Sequence, residues 1–229
     1  MSKINKKYFE TNDITIWWNP DHGKFSEYLD GNKKIKAFHD KILKDFLENV
    51  DFKGKSVLDC GVGKGRFAVN MMINGAAGVT GLDINERMLE ITKQRCPSVD
   101  TVLGDIENIE FPCRRFDVVS CMETLIHVPD KEKAVCEMAR VVKKDGGVVI
   151  NVQSGYSYLA YLEFYSVSEL VSGAVRLVKM RLCGKKEHTK LITKKHIETL
   201  LSCAGLRVEK EIRYGKWFTI LTTYICRKV

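Results

Sequence analysis

Two hydrophobic rhythms alternate along this chain. Short apolar runs bounded by turn residues fall at 56–60, 79–83, 102–105, 116–121 and 147–152. Runs of that length predict strands buried on both faces, as in a parallel sheet. Between them the apolar positions shift to a helical spacing. Ile35, Phe38, Ile42, Phe46 and Val50 form the stripe of a helix leading into the first strand, and 67–74, 86–95 and 131–142 give three more helices. Asp145-Gly146-Gly147 supplies a turn before the fifth strand. A helix over 194–204, stopped by Gly205, precedes two closing strands at 206–212 and 218–227. Strand and helix in alternation predict an α/β chain with one doubly wound sheet, helices on both faces, and ligands at the carboxyl ends of the strands.

The junction after the first strand carries the sharpest chemistry. It reads Val57-Leu58-Asp59-Cys60-Gly61-Val62-Gly63-Lys64-Gly65-Arg66-Phe67. Glycines permit the backbone angles of a tight strand-to-helix turn and the close approach of a ligand. Gly61, Gly63 and Gly65 are spaced G-x-G-x-G, with Arg66 where a dinucleotide fingerprint needs its third glycine, and Gly63-Lys64-Gly65 lacks the Ser/Thr of a phosphate-binding loop. Two more acids follow short apolar runs: Asp83 after Val79-Thr80-Gly81-Leu82, and Asp105 after Val102-Leu103-Gly104. Either could instead cap the helix behind it. Taken together, the three acids and the loop resemble the class I S-adenosylmethionine-dependent methyltransferases. The resemblance implies a Rossmann-like, seven-stranded sheet, mostly parallel with an antiparallel last strand, and S-adenosylmethionine as cofactor. It further implies that Asp59 faces the methionine ammonium group, Asp83 the ribose hydroxyls and Asp105 the adenine amino group, with Ile84 and Ile106 sandwiching the ring and Met122 beside the cofactor.

Three regions outside those motifs bear on the acceptor. Trp17-Trp18-Asn19-Pro20-Asp21-His22-Gly23-Lys24-Phe25 puts two adjacent tryptophans before a turn, a choice that suits a pocket lining or a staple for the N-terminal helix. Cys121-Met122-Glu123-Thr124-Leu125-Ile126-His127-Val128 follows the fourth strand. Both segments resemble the ubiquinone-biosynthesis O-methyltransferases, whose W-W-D-P-x-G-x-F and C-M-E-V-x-E-H-V elements they match with departures at Asn19, at an extra residue before Gly23, at Thr124 and at Ile126. In that family the second element is associated with a divalent metal. Ile126 removes one of its carboxylates, so Glu123 and His127 are expected to hold no metal by themselves and to serve the chemistry directly, His127 as general base with an ordinary pKa of roughly 6.5. A histidine fixed at a loop is the alternative. Trp17 and Trp18 are then substrate-pocket residues. The third region, 155–193, is an insertion in which Tyr156, Tyr158, Tyr161, Phe164 and Tyr165 precede Arg176, Lys179, Arg181, Lys185 and Lys186. Residues 156–186 suit contact with an anionic membrane surface; a lid or a dimer surface shares the same residues.

Composition narrows the remaining choices. The 229 residues, 45% of them apolar, suffice for one α/β domain, read as an N-terminal helical cap over 1–52 and a methyltransferase domain over 53–229. Eight cysteines without a C-x-x-C pair, and a lysine-rich start without an apolar stretch behind it, point to reducing cytoplasm, with a peripheral membrane association through the insertion. A net charge of +8 also admits an RNA or protein methyltransferase. The segment after the fourth strand lacks the Asp/Asn-Pro-Pro-aromatic element that holds a flipped base, which disfavours nucleic acid. A cofactor-binding subunit without catalysis is the third class, disfavoured by the intact loop. The expected activity is methyl transfer to a small, hydrophobic or phenolic acceptor.

Overall fold

The computed structural model describes residues 33–153, 192–215, 219 and 221–229. In chain order the elements are α1 (Lys33–Asn49), β1 (Ser56–Cys60), α2 (Arg66–Ile73), β2 (Gly78–Asp83), α3 (Glu86–Arg95), β3 (Asp100–Leu103), β4 (Phe116–Cys121), a 3₁₀ turn (Leu125–His127), α4 (Lys131–Val141), β5 (Val142–Gln153), α5 (Lys194–Cys203), β6 (Leu206–Tyr214) and β7 (Leu221–Lys228). Seven strands form one sheet in the order β3-β2-β1-β4-β5-β7-β6. β1 to β5 run parallel, and β7 lies antiparallel to both of its neighbours. The doubly wound architecture and the antiparallel last strand are as expected.

Alternation along each central strand explains the two layers of core. Leu58, Val119 and Val148 face one side, packing with Val135 and Met138 of α4 and Leu201 of α5. Val57, Val118 and Val149 face the other, packing with Ile42 and Phe46 of α1 and Phe67 and Met71 of α2. On that face Phe46 sits between Phe52 and Phe67, with ring centroids 5.1 and 5.3 Å away. Helix starts are set by local chemistry: Asn85, Asp130 and Thr193 accept hydrogen bonds from Arg87, Lys133 and His196 backbone amides respectively.

Two boundaries differ from the sequence expectation. Asp145-Gly146-Gly147 is not a connector, because α4 runs at Val141 directly into β5. The turn signal is spent inside the strand: Phe116 pairs with Val142 and Val118 with Gly147, so Asp117 alone spans the residues 143–146 looped out opposite it. Asp145 there has φ 59°, and a Cβ on Gly146 would lie 2.9 Å from the Asp117 carbonyl oxygen. Asp117 ties this bulge to the start of β1, accepting from Ser56 N at 2.9 Å, Ser56 Oγ at 2.6 Å and Lys143 Nζ at 2.7 Å. Its partial burial acts to raise the carboxyl pKa, but those bonds outweigh it and hold the pKa at about 2. β3, in turn, ends at Leu103, so Asp105 lies two residues beyond the strand, in an isolated bridge with Asn108.

β1 lies between β2 and β4, the point where the strand order reverses. Connections on its two sides leave toward opposite faces, which opens a crevice at the carboxyl ends of β1 and β4. Asp59 and Asp83 lie at the carboxyl ends of β1 and β2, and Asp105 and Glu123 follow those of β3 and β4.

Candidate active site

The turn after β1 is built from left-handed glycines and closed by two threonines. Gly61, Gly63 and Gly65 have φ of 77°, 53° and 76°, angles that cost most other residues about 1–2 kcal/mol each. A Cβ on Gly61 would lie 2.2 Å from Thr124 Cγ2, and one on Gly65 2.9 Å from Thr92 Cγ2. By contrast, a Cβ on Gly63 would meet nothing within 4 Å, so this is where the backbone is open to a ligand. Thr92 Oγ1, fully buried on α3, donates to the Gly63 carbonyl at 2.8 Å, while Thr124 Oγ1 lies 3.2 Å from the Gly61 carbonyl and 3.1 Å from that of Met122.

The acids differ in setting. Asp59 is 2% exposed at the end of β1, where Ser120 Oγ of β4 donates to it at 2.8 Å. Burial raises its pKa to about 7; the Ser120 bond opposes that rise and the nearby Asp83 charge adds to it. A buried carboxylate with one neutral donor and no described cation beside it is suited to receive one. Asp83 bridges two loops, its Oδ2 accepting from Gly63 N and its Oδ1 from Asn85 N, both at 2.9 Å. Burial raises its pKa, and the backbone amides of Asn85 and Gly63 oppose the rise. It does not cap α3, since Asn85 does. Asp105 is buried and accepts from Glu107 N at 2.9 Å within the turn after β3. Ile84 and Ile106 are partly buried beside these two acids, and Met122 is buried at the end of β4.

The segment after β4 departs from expectation. Glu123 has φ 58°, and its Oε1 lies 2.7 Å from Nδ1 of His39 on α1. His127 sits on the 3₁₀ turn, where burial first and the Lys131 charge second lower its pKa to about 4, against a smaller opposing effect of Glu123. The premise of an imidazole titrating near neutrality is therefore not met at His127. Among the described residues no group of three or more His, Cys, Asp or Glu is arranged to hold a metal ion, and the Glu123 carboxylate is turned to His39, so the site does not fit the divalent metal that the quinone-family resemblance implied. Trp17, Trp18 and most of the insertion lie outside the described residues. Four residues that build the site were given no role by the sequence. Ser120 and Thr92 signalled themselves only as polar positions within apolar stretches; Thr124 and His39 meet their partners across 63 and 84 residues, which spacing does not reveal.

Known proteins share both the sequence and the fold. Residues 58–150 match the methyltransferase domain family. The ubiquinone biosynthesis O-methyltransferase of Neisseria meningitidis serogroup C (strain 053442) is 32% identical over 214 residues, covering 83% of this chain and 84% of that protein. The chain belongs to this family of S-adenosylmethionine-dependent methyltransferases. The enzyme of the same description from Coxiella burnetii (strain RSA 331 / Henzerling II) is 29% identical to this methyltransferase over 196 residues, covering 84% of this chain and 77% of that one. In structure, the methyltransferase is similar to magnesium protoporphyrin IX methyltransferase of Synechocystis PCC 6803 with bound S-adenosylhomocysteine, at a TM-score of 0.70, 15% identity, and coverage of 94% and 98% of the two chains. The same Synechocystis enzyme with bound S-adenosylmethionine aligns at a TM-score of 0.67 and 15% identity, covering 99% of this chain and 96% of that one. Its cofactor is S-adenosylmethionine.

Proposed function

We propose that this methyltransferase places the methyl group on the oxygen of a phenolic or enolic hydroxyl carried by a small hydrophobic molecule. The observation that carries the reading is the extent of the likeness to the ubiquinone biosynthesis O-methyltransferases, 83% of this chain, which reaches well beyond the cofactor-binding segment. The cofactor supplies an electrophilic methyl group on a sulfonium centre, already activated for displacement. The chain has then to bind it, align the acceptor and keep water out.

Each of those tasks has residues suited to it. Asp59 is assigned to the cofactor's ammonium group, Asp83 to the ribose hydroxyls, and Asp105 with Ile84 and Ile106 to the adenine. Gly61, Gly63 and Gly65 let the backbone approach closely, and Met122 packs beside the cofactor. The open side of Gly63 and the desolvated Asp59 carboxylate fit such a ligand. Glu123, directly after Met122, is assigned to the acceptor end of the crevice. Trp17 and Trp18 are assigned to the acceptor pocket, and the basic and aromatic residues of 156–186 to contact with an anionic membrane surface from which a hydrophobic acceptor is drawn.

The test uses S-adenosylmethionine labelled in its methyl group, incubated with the protein and an extract of its native cells. Label partitioning into the organic phase is the expected outcome. Label in RNA or protein contradicts the acceptor class, and no transfer despite cofactor binding favours a non-catalytic subunit.

A further inference from the structure

The contact of His39 with Glu123 joins the N-terminal helix α1 to the segment after β4. His39 and Glu123 side chains are 17% and 22% exposed, so the pair is largely withdrawn from water yet reachable. Glu123 is held there at some cost: φ 58° is a conformation that side chains other than glycine rarely adopt, worth roughly 1 kcal/mol or more. Its neighbours fix it, since Met122 is buried just beyond β4 and Thr124 is fastened to the Gly61 carbonyl. On the other flank of the glycine turn Asp40 of α1 meets Arg66, the first residue of α2, at 3.3 Å. Adjacent residues of α1 thus reach both sides of the glycine turn, Asp40 at Arg66 and His39 at Glu123.

A carboxylate can only accept a hydrogen bond, so the 2.7 Å contact assigns a hydrogen to His39 Nδ1, and in the neutral ring the lone pair then lies on Nε2. A histidine oriented in this way by a carboxylate is a proton acceptor whose imidazolium form the carboxylate then stabilises. We propose that His39, oriented by Glu123, is the catalytic base of the methyl transfer, and that Glu123 is its positioning residue. The inference rests on the hydroxyl acceptor proposed above. As the hydroxyl oxygen attacks the methyl carbon, its O–H bond breaks and the proton passes to Nε2 of His39; the carbon–sulfur bond breaks with its electron pair going to sulfur, leaving a neutral thioether. The imidazolium returns its proton to water after the methylated product leaves. His127 is not suited to this step, because its lowered pKa makes it a weak base.

Two measurements decide the matter. Nitrogen NMR of the protein saturated with S-adenosylhomocysteine reports the His39 tautomer directly: the hydrogen on Nδ1 is expected, and a hydrogen on Nε2 with Nδ1 bare overturns the proposal. Methyl transfer is then compared on catechol and 4-nitrocatechol, whose hydroxyl ionises without help near neutrality, in the presence of EDTA. His39→Asn, which keeps a donor toward Glu123, and His39→Ala are each expected to lower kcat on catechol by about 10²–10³-fold, to leave 4-nitrocatechol nearly unaffected, and to bind cofactor as the wild type does. Equal losses on both acceptors, no loss on either, or wild-type activity that vanishes with EDTA and returns with Mg²⁺ overturns the assignment of His39. A wild type that methylates neither catechol overturns the acceptor class itself, and with it this inference.

Discussion

Asp59 concentrates the trade between stability and binding in one side chain. Its folded pKa of about 7 lies above the ordinary value of 3.8, so between those limits the folded state holds a proton that the unfolded state has lost. Stability of the ligand-free protein therefore declines as pH rises from about 4 and levels off above about 7. Asp59→Asn removes that decline, and thermal melts without ligand are expected to show the variant gaining more on the wild type at pH 8 than at pH 5. Calorimetric titration with S-adenosylhomocysteine gives the opposite ranking: under the proposed pairing of an ionised Asp59 with the ammonium, the wild type is expected to weaken about tenfold per pH unit below 7, and the variant to bind poorly without that slope. A wild-type affinity independent of pH between 5.5 and 7 contradicts this account of Asp59. The acid and the three glycines were legible because both chemistry and local geometry demanded those residue types at that spacing. His39 was not legible, because nothing in a helical stripe marks which flank will meet a loop 84 residues away.

At the scale of elements, α3 supports the cofactor turn from below. Thr92 is fully buried on the same face of α3 as Met88 and Leu89, and its hydroxyl satisfies the Gly63 carbonyl. Thr92→Val keeps the shape and removes the bond, leaving a buried acceptor without its donor. The expected cost is about 1–2 kcal/mol in denaturant unfolding, with weaker cofactor binding from a looser turn; unchanged stability and affinity would contradict the role given to Thr92. Helix and strand boundaries were read from periodicity to within a residue or two where the element is buried, as at α3 and β4. They were misread where a turn signal was absorbed by tertiary pairing: Asp145-Gly146-Gly147 has the composition of a connector, but the strand resumes pairing with β4 on both sides of it. The extra length of β6, which continues to Tyr214, follows from pairing with β7 and not from its own polar sequence.

For the whole molecule, the strand order places the chemistry. Reversal of the order at β1 and β4 collects Asp59, Asp83, Glu123 and the glycine turn at one rim, although they span 65 residues of chain. Alternating apolar runs were enough to anticipate that arrangement, since parallel strands buried on both faces leave their carboxyl ends as the place for polar groups. The contact of His39 with Glu123 was less legible, because it brings together segments 84 residues apart. No described helix is long and apolar enough to cross a membrane, so the proposed approach to a lipid surface rests on the basic and aromatic composition of 156–186. Carbon NMR of the product formed from ¹³C-methyl-labelled S-adenosylmethionine and a prenylated catechol tests the central claim most directly. The account predicts one new oxygen-bound methyl carbon, formed in step with S-adenosylhomocysteine by the wild type and not by Asp59→Asn. A methyl carbon bound to nitrogen or to ring carbon, or no transfer to the catechol by a protein that binds the cofactor, would contradict it.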